Sequence, residues 1–157
     1  MSASPATTEP MAIPADELLK LDNQLCFPLY AASKEVVRRY TPLLDELGLT
    51  YTQYIAMMVL WEKREVMARE LGERLYLDSG TLTPMLRKLE DKGLVSRERS
   101  ATDARQLMVS LTPAGEALKQ RAAQVPLAIG GCIDLSLEEA IQLRQLLDKV
   151  LRNVHEH

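Results

Sequence analysis

Two short amphipathic helix patterns, followed at once by two short strand patterns, constrain the fold of this chain more than any other feature of its sequence. The helix patterns cover about residues 67–74 and 78–92, and Gly93 stands where a C-terminal cap is expected. The strand patterns cover residues 94–99 and 106–111, with a polar, charged loop between them. This order predicts a winged helix-turn-helix, whose second helix enters the major groove of DNA.

Further helix patterns precede and follow this motif, so a mainly α-helical fold with a small β-hairpin wing is predicted. Apolar residues at intervals of three and four predict one long helix over about residues 18–47, ended by Gly48 and kinked or broken at Pro28 or Pro42. After the hairpin, a helix beginning at Pro113 is expected to be interrupted around Pro126, Gly130 and Gly131. The predicted N-terminal caps are Thr50 or Thr52, Asp78 or Ser79, Thr112, and Ser136 with Glu139 in a capping box.

Composition argues against several classes of protein. The two cysteines lie more than a hundred positions apart, and both histidines stand in the last three residues, so we expect no metal site and no cofactor. The N-terminal residues lack the features of a signal peptide, and no segment is apolar enough to cross a bilayer. We therefore expect a soluble, cytoplasmic protein without a membrane partner. The net charge of −3 gives no general attraction to DNA, so DNA binding would require a locally basic face.

The second helix of the motif offers such a face. If its leucines pack on the core, the opposite side presents hydroxyl groups near the helix start and cations further along, which suit phosphate and base-edge contacts. Over residues 84–105 positive charges exceed negative charges by two. An ordinary solvated helix face is the alternative interpretation of these charges. The residues expected to contact DNA are Ser79, Thr81, Thr83, Pro84, Arg87, Lys88, Arg97, Arg99, Asp103 and Arg105.

Two segments of this region resemble the family of multiple antibiotic resistance regulators (MarR). These are residues 103–105 (DAR) and 111–115 (LTPAG), which look like the wing of that family and the return from it. The resemblance extends from about residue 18 to the end of the chain. It implies an intertwined homodimer on double-stranded DNA, with Arg105 reaching into the minor groove and Asp103 holding the wing in shape.

Three other segments are similar to one branch of that family, the organic hydroperoxide resistance regulators. They are residues 21–27 (LDNQLCF), 49–54 (LTYTQY) and 71–84 (LGERLYLDSGTLTP). This resemblance implies that Cys26 is a peroxide-sensing cysteine and that Tyr40 and Tyr51 of the partner subunit hydrogen-bond its thiolate. It also implies that the oxidised Cys26 forms an intersubunit disulfide, for which Cys132 is the candidate partner. An incidental interfacial cysteine remains the other interpretation of Cys132.

Helix geometry independently favours a sensor shared between two subunits. Cys26 and Tyr40 are 14 positions apart, which is about 21 Å along one continuous helix. Contact between crossing copies of that helix is therefore simpler than contact within one chain. The alternative interpretation of Cys26 is a small, buried apolar residue without a sensing role. Tyr30, one helical turn after Cys26, shares its face and either approaches the sulfur or only packs beside it.

The composition of the first fifteen residues, which are rich in Ser, Thr, Ala and Pro, and the resemblance together predict four regions and a function. They are a disordered tail (residues 1–15), a dimerisation and sensor helix (16–50), a winged helix-turn-helix (51–112) and C-terminal dimerisation helices (113–157). The expected function is repression at a pseudo-palindromic operator, and organic hydroperoxides are expected to relieve this repression. The protein is not expected to be an enzyme. One rival is a repressor released by a small aromatic molecule. The other, a thiol peroxidase, is disfavoured because no peroxidase-type cysteine pocket on an α/β scaffold is evident.

Overall fold

Helices dominate the fold, and three short strands interrupt them. The structure is a computed structural model that describes residues 12–156. Within these residues the elements are α1 (Ala15–Leu18), a 3-10 turn (Leu21–Asn23), α2 (Cys26–Asp45), α3 (Tyr51–Lys63), β1 (Glu65–Met67), α4 (Ala68–Leu75), α5 (Ser79–Asp91), β2 (Val95–Arg99), β3 (Leu107–Leu111), α6 (Pro113–Ala122), α7 (Gln124–Ile133) and α8 (Leu137–His155).

The chain divides into two units, residues 1–38 and residues 39–157. Helix α2 contributes residues to both units. The regions predicted from the sequence, with boundaries after residues 15, 50 and 112, stay predictions. Most of the expected disordered tail lies outside the described residues, and its last position, Ala15, is the first residue of α1.

In the first unit, the long helix predicted from residue 18 begins only at Cys26, so that prediction is wrong at its start. The side-chain amides of Asn23 and Gln24 donate to the backbone carbonyls of Glu17 and Leu18, at 2.7 and 2.6 Å, which closes a turn instead of continuing a helix. Pro28 follows as the third residue of α2. A proline is tolerated there because the first-turn N–H groups have no intrahelical acceptor.

The second unit begins near the end of α2, and the predicted boundaries hold there. The helix continues through Pro42, so the break predicted at Pro28 or Pro42 does not occur, and Gly48 follows the helix with a φ of +68°. Thr50 then caps α3: its hydroxyl accepts from the backbone N–H of Gln53, and the Gln53 side chain accepts from the backbone N–H of Thr50. This capping box confirms Thr50, rather than Thr52, as the cap.

The core of the second unit lies between α3, α4, α5 and the sheet. Leucines and methionines at intervals of three and four place one face of α5 in this core, as the pattern predicts. The largest side chains with less than 2% exposure are Leu44, Met57, Leu60, Leu71, Leu86, Leu89 and Val109.

The sheet has three antiparallel strands in the order β1-β3-β2. The predicted hairpin is confirmed, with Val95 opposite Leu111 and Arg99 opposite Leu107. Strand β1 was not predicted from the sequence, because three residues with only Val66 buried are too few to show an alternating pattern.

The position predicted for the interruption after α6 is wrong. Pro126 stands in the first turn of α7, and Gly130 and Gly131 lie inside this helix. The break between α6 and α7 comes earlier, at Ala123, which caps both helices with helical backbone angles. Helix α8 then starts at the predicted capping box of Ser136 and Glu139. No helix among the described residues combines the length and the apolar character needed to cross a membrane.

Candidate DNA interface and redox site

Helix α5 presents the face that the sequence predicts for DNA recognition. Asp78 caps the helix by accepting from the backbone N–H of Thr81 at 2.8 Å. The hydroxyls at the start of α5 and the cations after them are exposed, while Leu82 and Leu86 are buried on the opposite side. We call α5 the recognition helix. Its exposed predicted residues are Ser79, Thr81, Thr83, Pro84, Arg87 and Lys88.

The wing, formed by β2, β3 and the loop between them, is held in shape at its tip by Asp103. The Asp103 carboxylate accepts from the backbone N–H of Arg105 at 3.0 Å, and the Asp103 carbonyl accepts from the backbone N–H of Gln106 at 3.0 Å. Arg99 and Arg105 are exposed. This geometry gives Asp103 a shaping role, and it leaves the contacts of Arg99 and Arg105 with DNA as predictions.

Arg97 differs from the other predicted contacts because it binds Glu90 of the recognition helix. Its Nε and Nη2 atoms donate to the same carboxylate oxygen at 2.9 and 2.7 Å. The hydrogen bond from Arg97 and its charge hold the pKa of Glu90 below its usual value. The pair joins the wing to the recognition helix, a function for Glu90 that the sequence did not reveal.

An open groove of about 1540 Å³ runs between α4, the recognition helix and the wing. Arg87, Arg99 and Arg105 line it together with the hydroxyl-bearing start of the recognition helix. At one edge the ring of His155 meets the ring of Tyr76 edge-on, with centroids 5.3 Å apart. The structure therefore brings Arg87 of the recognition helix and the predicted wing cations to one concave surface, which Lys88 does not line.

Both cysteines are exposed free thiols. Cys26 is the first residue of α2, where the backbone N–H groups of the opening turn lack helical acceptors. Cys132 lies in the last turn of α7, and Gly130 and Gly131 beside it are helical instead of forming the expected interruption. No group of His, Cys, Asp and Glu side chains that could hold a metal occurs among the described residues.

The two tyrosines predicted to bind a thiolate lie against each other. Tyr40 of α2 and Tyr51 of α3 meet edge-to-face, with ring centroids 4.9 Å apart. Tyr54 adds a third ring, 5.8 Å from Tyr40 and 6.4 Å from Tyr51. We call these residues the tyrosine cluster. Tyr54 was not predicted as a member, although its spacing of three from Tyr51 places both on one helix face.

Burial, and secondarily the neighbouring Tyr51, raises the pKa of Tyr40 above its ordinary value of 10.0. Burial, followed by Tyr40 and Tyr51, raises the pKa of Tyr54 in the same direction. The Tyr40 hydroxyl therefore stays protonated at neutral pH. It remains able to donate a hydrogen bond to an anion.

Tyr40 and Tyr54 should titrate above pH 10 in the folded protein, as followed by ultraviolet difference spectroscopy. Because a raised pKa favours the protonated folded form, the stability that it contributes is present below pH 10 and is lost as the pH rises through the raised value. In Tyr40→Phe one late titration should disappear, and that of Tyr54 should move back towards 10. An unchanged titration curve in Tyr40→Phe would contradict this assignment.

Comparisons with known proteins identify the family of this chain. A family model described as transcriptional regulator SarA/Rot matches residues 38–122. The organic hydroperoxide resistance transcriptional regulator of Bacillus subtilis (strain 168) is 47% identical over 138 residues, which cover 88% of this chain and 94% of that protein.

Solved structures of AbfR from Staphylococcus epidermidis also match. Reduced AbfR bound to DNA is 35% identical with a TM-score of 0.74, and the match covers 89% of this chain and 96% of that one. Disulfide-formed AbfR is 37% identical with a TM-score of 0.61, and the match covers 90% and 97%. The chain therefore belongs to the MarR-type family of transcriptional regulators, on the branch of the organic hydroperoxide resistance regulators.

Proposed function

We propose that this protein is a homodimeric repressor that binds a pseudo-palindromic operator in the cytoplasm and releases it when an organic hydroperoxide oxidises Cys26. The observation that carries the proposal is the pairing of Tyr40 with Tyr51, whose ring centroids are 4.9 Å apart. Each ring carries a hydroxyl group that is a hydrogen-bond donor, so the pair supplies two donors to one anion. In this family branch the anion would be a cysteine thiolate.

The thiolate at this site would come from the partner subunit. Cys26 and Tyr40 belong to one helix, and 14 residues at 1.5 Å each correspond to about 21 Å along its axis. A sulfur–hydroxyl hydrogen bond spans only about 3 to 4 Å. We therefore assign the tyrosine pair of one subunit to Cys26 of the other, so that the sensor and the dimer interface coincide.

Exposed apolar side chains supply surfaces for such a dimer. In the first unit Leu19 is 82% exposed and Leu25 is 77% exposed. In the second unit α8 buries none of its residues, although its apolar positions recur at helical spacing. Burial of these apolar faces against a second copy of the chain would stabilise a dimer. We assign dimerisation to residues 16–50 and 113–157, and DNA binding to residues 51–112. The exposed large apolar residues of α8 are Leu137, Ile141, Leu143, Leu146, Leu151 and Val154.

The proposed chemistry begins with the Cys26 thiolate. The sulfur attacks the terminal oxygen of the hydroperoxide, the O–O bond breaks, and the alkoxide leaves as an alcohol after taking up a proton. Cys26 is then a sulfenic acid. The Cys132 sulfur of the partner subunit attacks the Cys26 sulfur, the S–O bond breaks, and water leaves as the disulfide forms. The hydroperoxide is the oxidant, and two thiols supply the electrons.

DNA release would follow from a change in the spacing of the two recognition helices. Half-sites of a pseudo-palindrome lie about 34 to 36 Å apart, so a dimer loses one half-site when this spacing changes.

Operator binding can be tested at the wing. Arg105→Ala should weaken the binding of reduced protein by about 10- to 100-fold, because a cation that enters the minor groove is lost. Fluorescence anisotropy with labelled operator measures this loss, and repetition over a range of salt concentrations should show a shallower salt dependence. Arg144→Ala is the matched control, since Arg144 is 85% exposed on α8. An affinity of Arg105→Ala equal to that of the wild-type protein would exclude Arg105 as a DNA contact.

A further inference from the structure

We propose that Lys92 is a positioning residue that couples the tyrosine cluster to the recognition helix, so that a change at Tyr51 reaches the DNA-binding surface. This inference rests on the proposed function. Lys92 follows the last residue of the recognition helix and is its C-terminal cap. It belongs neither to the predicted DNA contacts nor to the thiolate site.

The side chain of Lys92 crosses to the segment that begins α3. Its ammonium group donates to the backbone carbonyl of Gly48 and, at 3.0 Å, to the side-chain oxygen of Gln53. These acceptors lie 44 and 39 residues away in sequence. Lys92 thus ties the end of the recognition helix to both sides of the turn between α2 and α3.

The Gln53 oxygen is a critical acceptor because it serves two donors. Gln53 is only 3% exposed, and the same oxygen accepts from the backbone N–H of Thr50 at 3.1 Å. The Gln53 backbone N–H in turn donates to the Thr50 hydroxyl at 3.3 Å. Tyr51, the first residue of α3, lies between the two partners of this capping box.

A displacement of Tyr51 would therefore move the groups that hold Lys92. If the partner's Cys26 leaves the tyrosine pair on oxidation, the start of α3 loses the bond that fixed Tyr51. The 13-residue recognition helix, about 20 Å long, has Lys92 at one end and the DNA-facing hydroxyls at the other. A rigid helix carries a shift at its end along its whole length, and the groove contacts then lose register.

A purely structural role for Lys92 predicts a different result from a coupling role. A structural residue affects operator affinity equally in the reduced and oxidised states. A coupling residue changes the ratio of the two affinities, which is the free energy that links oxidation to release. The decisive quantity is therefore the ratio of operator Kd after oxidation to operator Kd before it.

The experiment measures this ratio by fluorescence anisotropy on full-length protein, with cumene hydroperoxide as the oxidant. Lys92→Met should lower the ratio at least tenfold relative to the wild-type protein, while the reduced Kd changes less than about threefold. Lys92→Arg should retain most of the ratio, because it keeps a cationic donor. Lys119→Met, an exposed lysine on α6, is the matched control and should retain the wild-type ratio.

The outcomes separate this inference from the proposed function. A wild-type ratio of one would overturn the proposed function and the inference with it. A large wild-type ratio that Lys92→Met preserves would overturn the inference alone. If Lys92→Met does not fold, Lys92→Gln replaces it. The combination of the folded variant with Tyr51→Phe then gives a second readout. If the two residues are coupled, the double variant lowers the logarithm of the ratio by less than the sum of the two single effects. If they are independent, it lowers the logarithm by that sum.

Discussion

Replacement of Cys26 by serine is expected to leave the affinity of the reduced protein for its operator unchanged and to abolish release by an organic hydroperoxide. A serine hydroxyl is close in size to a thiol and Cys26 is exposed, so the start of α2 keeps its conformation. It is not ionised at neutral pH and does not attack the O–O bond, so no sulfenic acid forms. Fluorescence anisotropy with labelled operator, before and after one equivalent of cumene hydroperoxide per subunit, measures both quantities.

Cys132→Ser is the matched control for this experiment. It keeps the peroxide-reactive thiol and removes only the second sulfur, so Cys26 should still be oxidised. The covalent dimer that the wild-type protein forms on a non-reducing gel should then be absent. If Cys26→Ser is released by the same amount of hydroperoxide as the wild-type protein, oxidation of Cys26 is not the signal.

Gly115→Ala is expected to destabilise the fold by about 3 kcal/mol or more, the largest stability effect that the structure predicts for a single methyl group. A Cβ atom at this position would lie 2.2 Å from the backbone oxygen of Leu94 and 2.7 Å from a methyl carbon of Leu111. Relief of this overlap requires movement of backbone in the segment between the recognition helix and β2. The same movement would disturb the hydrogen bond of 2.9 Å from the Trp61 indole to the Gly115 carbonyl.

Thermal unfolding followed by circular dichroism measures the effect of Gly115→Ala, with an expected fall in Tm of roughly 6 to 12 °C. Gly130→Ala provides the control, because a Cβ atom at that position meets nothing within 4 Å. Inside α7 the added methyl group should raise stability by up to about 1 kcal/mol. Equal Tm values for the two variants would refute the close approach of Gly115 to Leu94.

Local signals predicted the elements that depend on short-range chemistry. The caps Thr50, Asp78 and Ser136 are confirmed. They could be predicted because a Ser, Thr or Asp directly before a helix pattern can accept a hydrogen bond from the backbone N–H three residues later. The errors occurred where proline and glycine were taken as interruptions. Pro28 and Pro126 stand in first turns, where proline costs little, and the positions of those turns depend on contacts outside the pattern.

The candidate site likewise contains residues that the sequence predicted and contacts that it did not. Resemblance and spacing identified Cys26, Tyr40 and Tyr51 as a group, and the structure brings the two tyrosines together. The bonds from Arg97 to Glu90 and from Lys92 to Gln53 were not predictable. They join residues 7 and 39 positions apart, and no periodic pattern encodes such tertiary contacts.

The central claim is tested most directly by measuring the state of Cys26 and the occupancy of the operator in the same sample. During stepwise addition of cumene hydroperoxide, mass spectrometry gives the fraction of Cys26 joined to Cys132, and fluorescence anisotropy gives the fraction of operator bound. The account predicts that operator occupancy falls in step with the disulfide and recovers when a thiol reductant is added. Operator released while Cys26 is still a free thiol, or operator retained by fully disulfide-linked dimers, would contradict it.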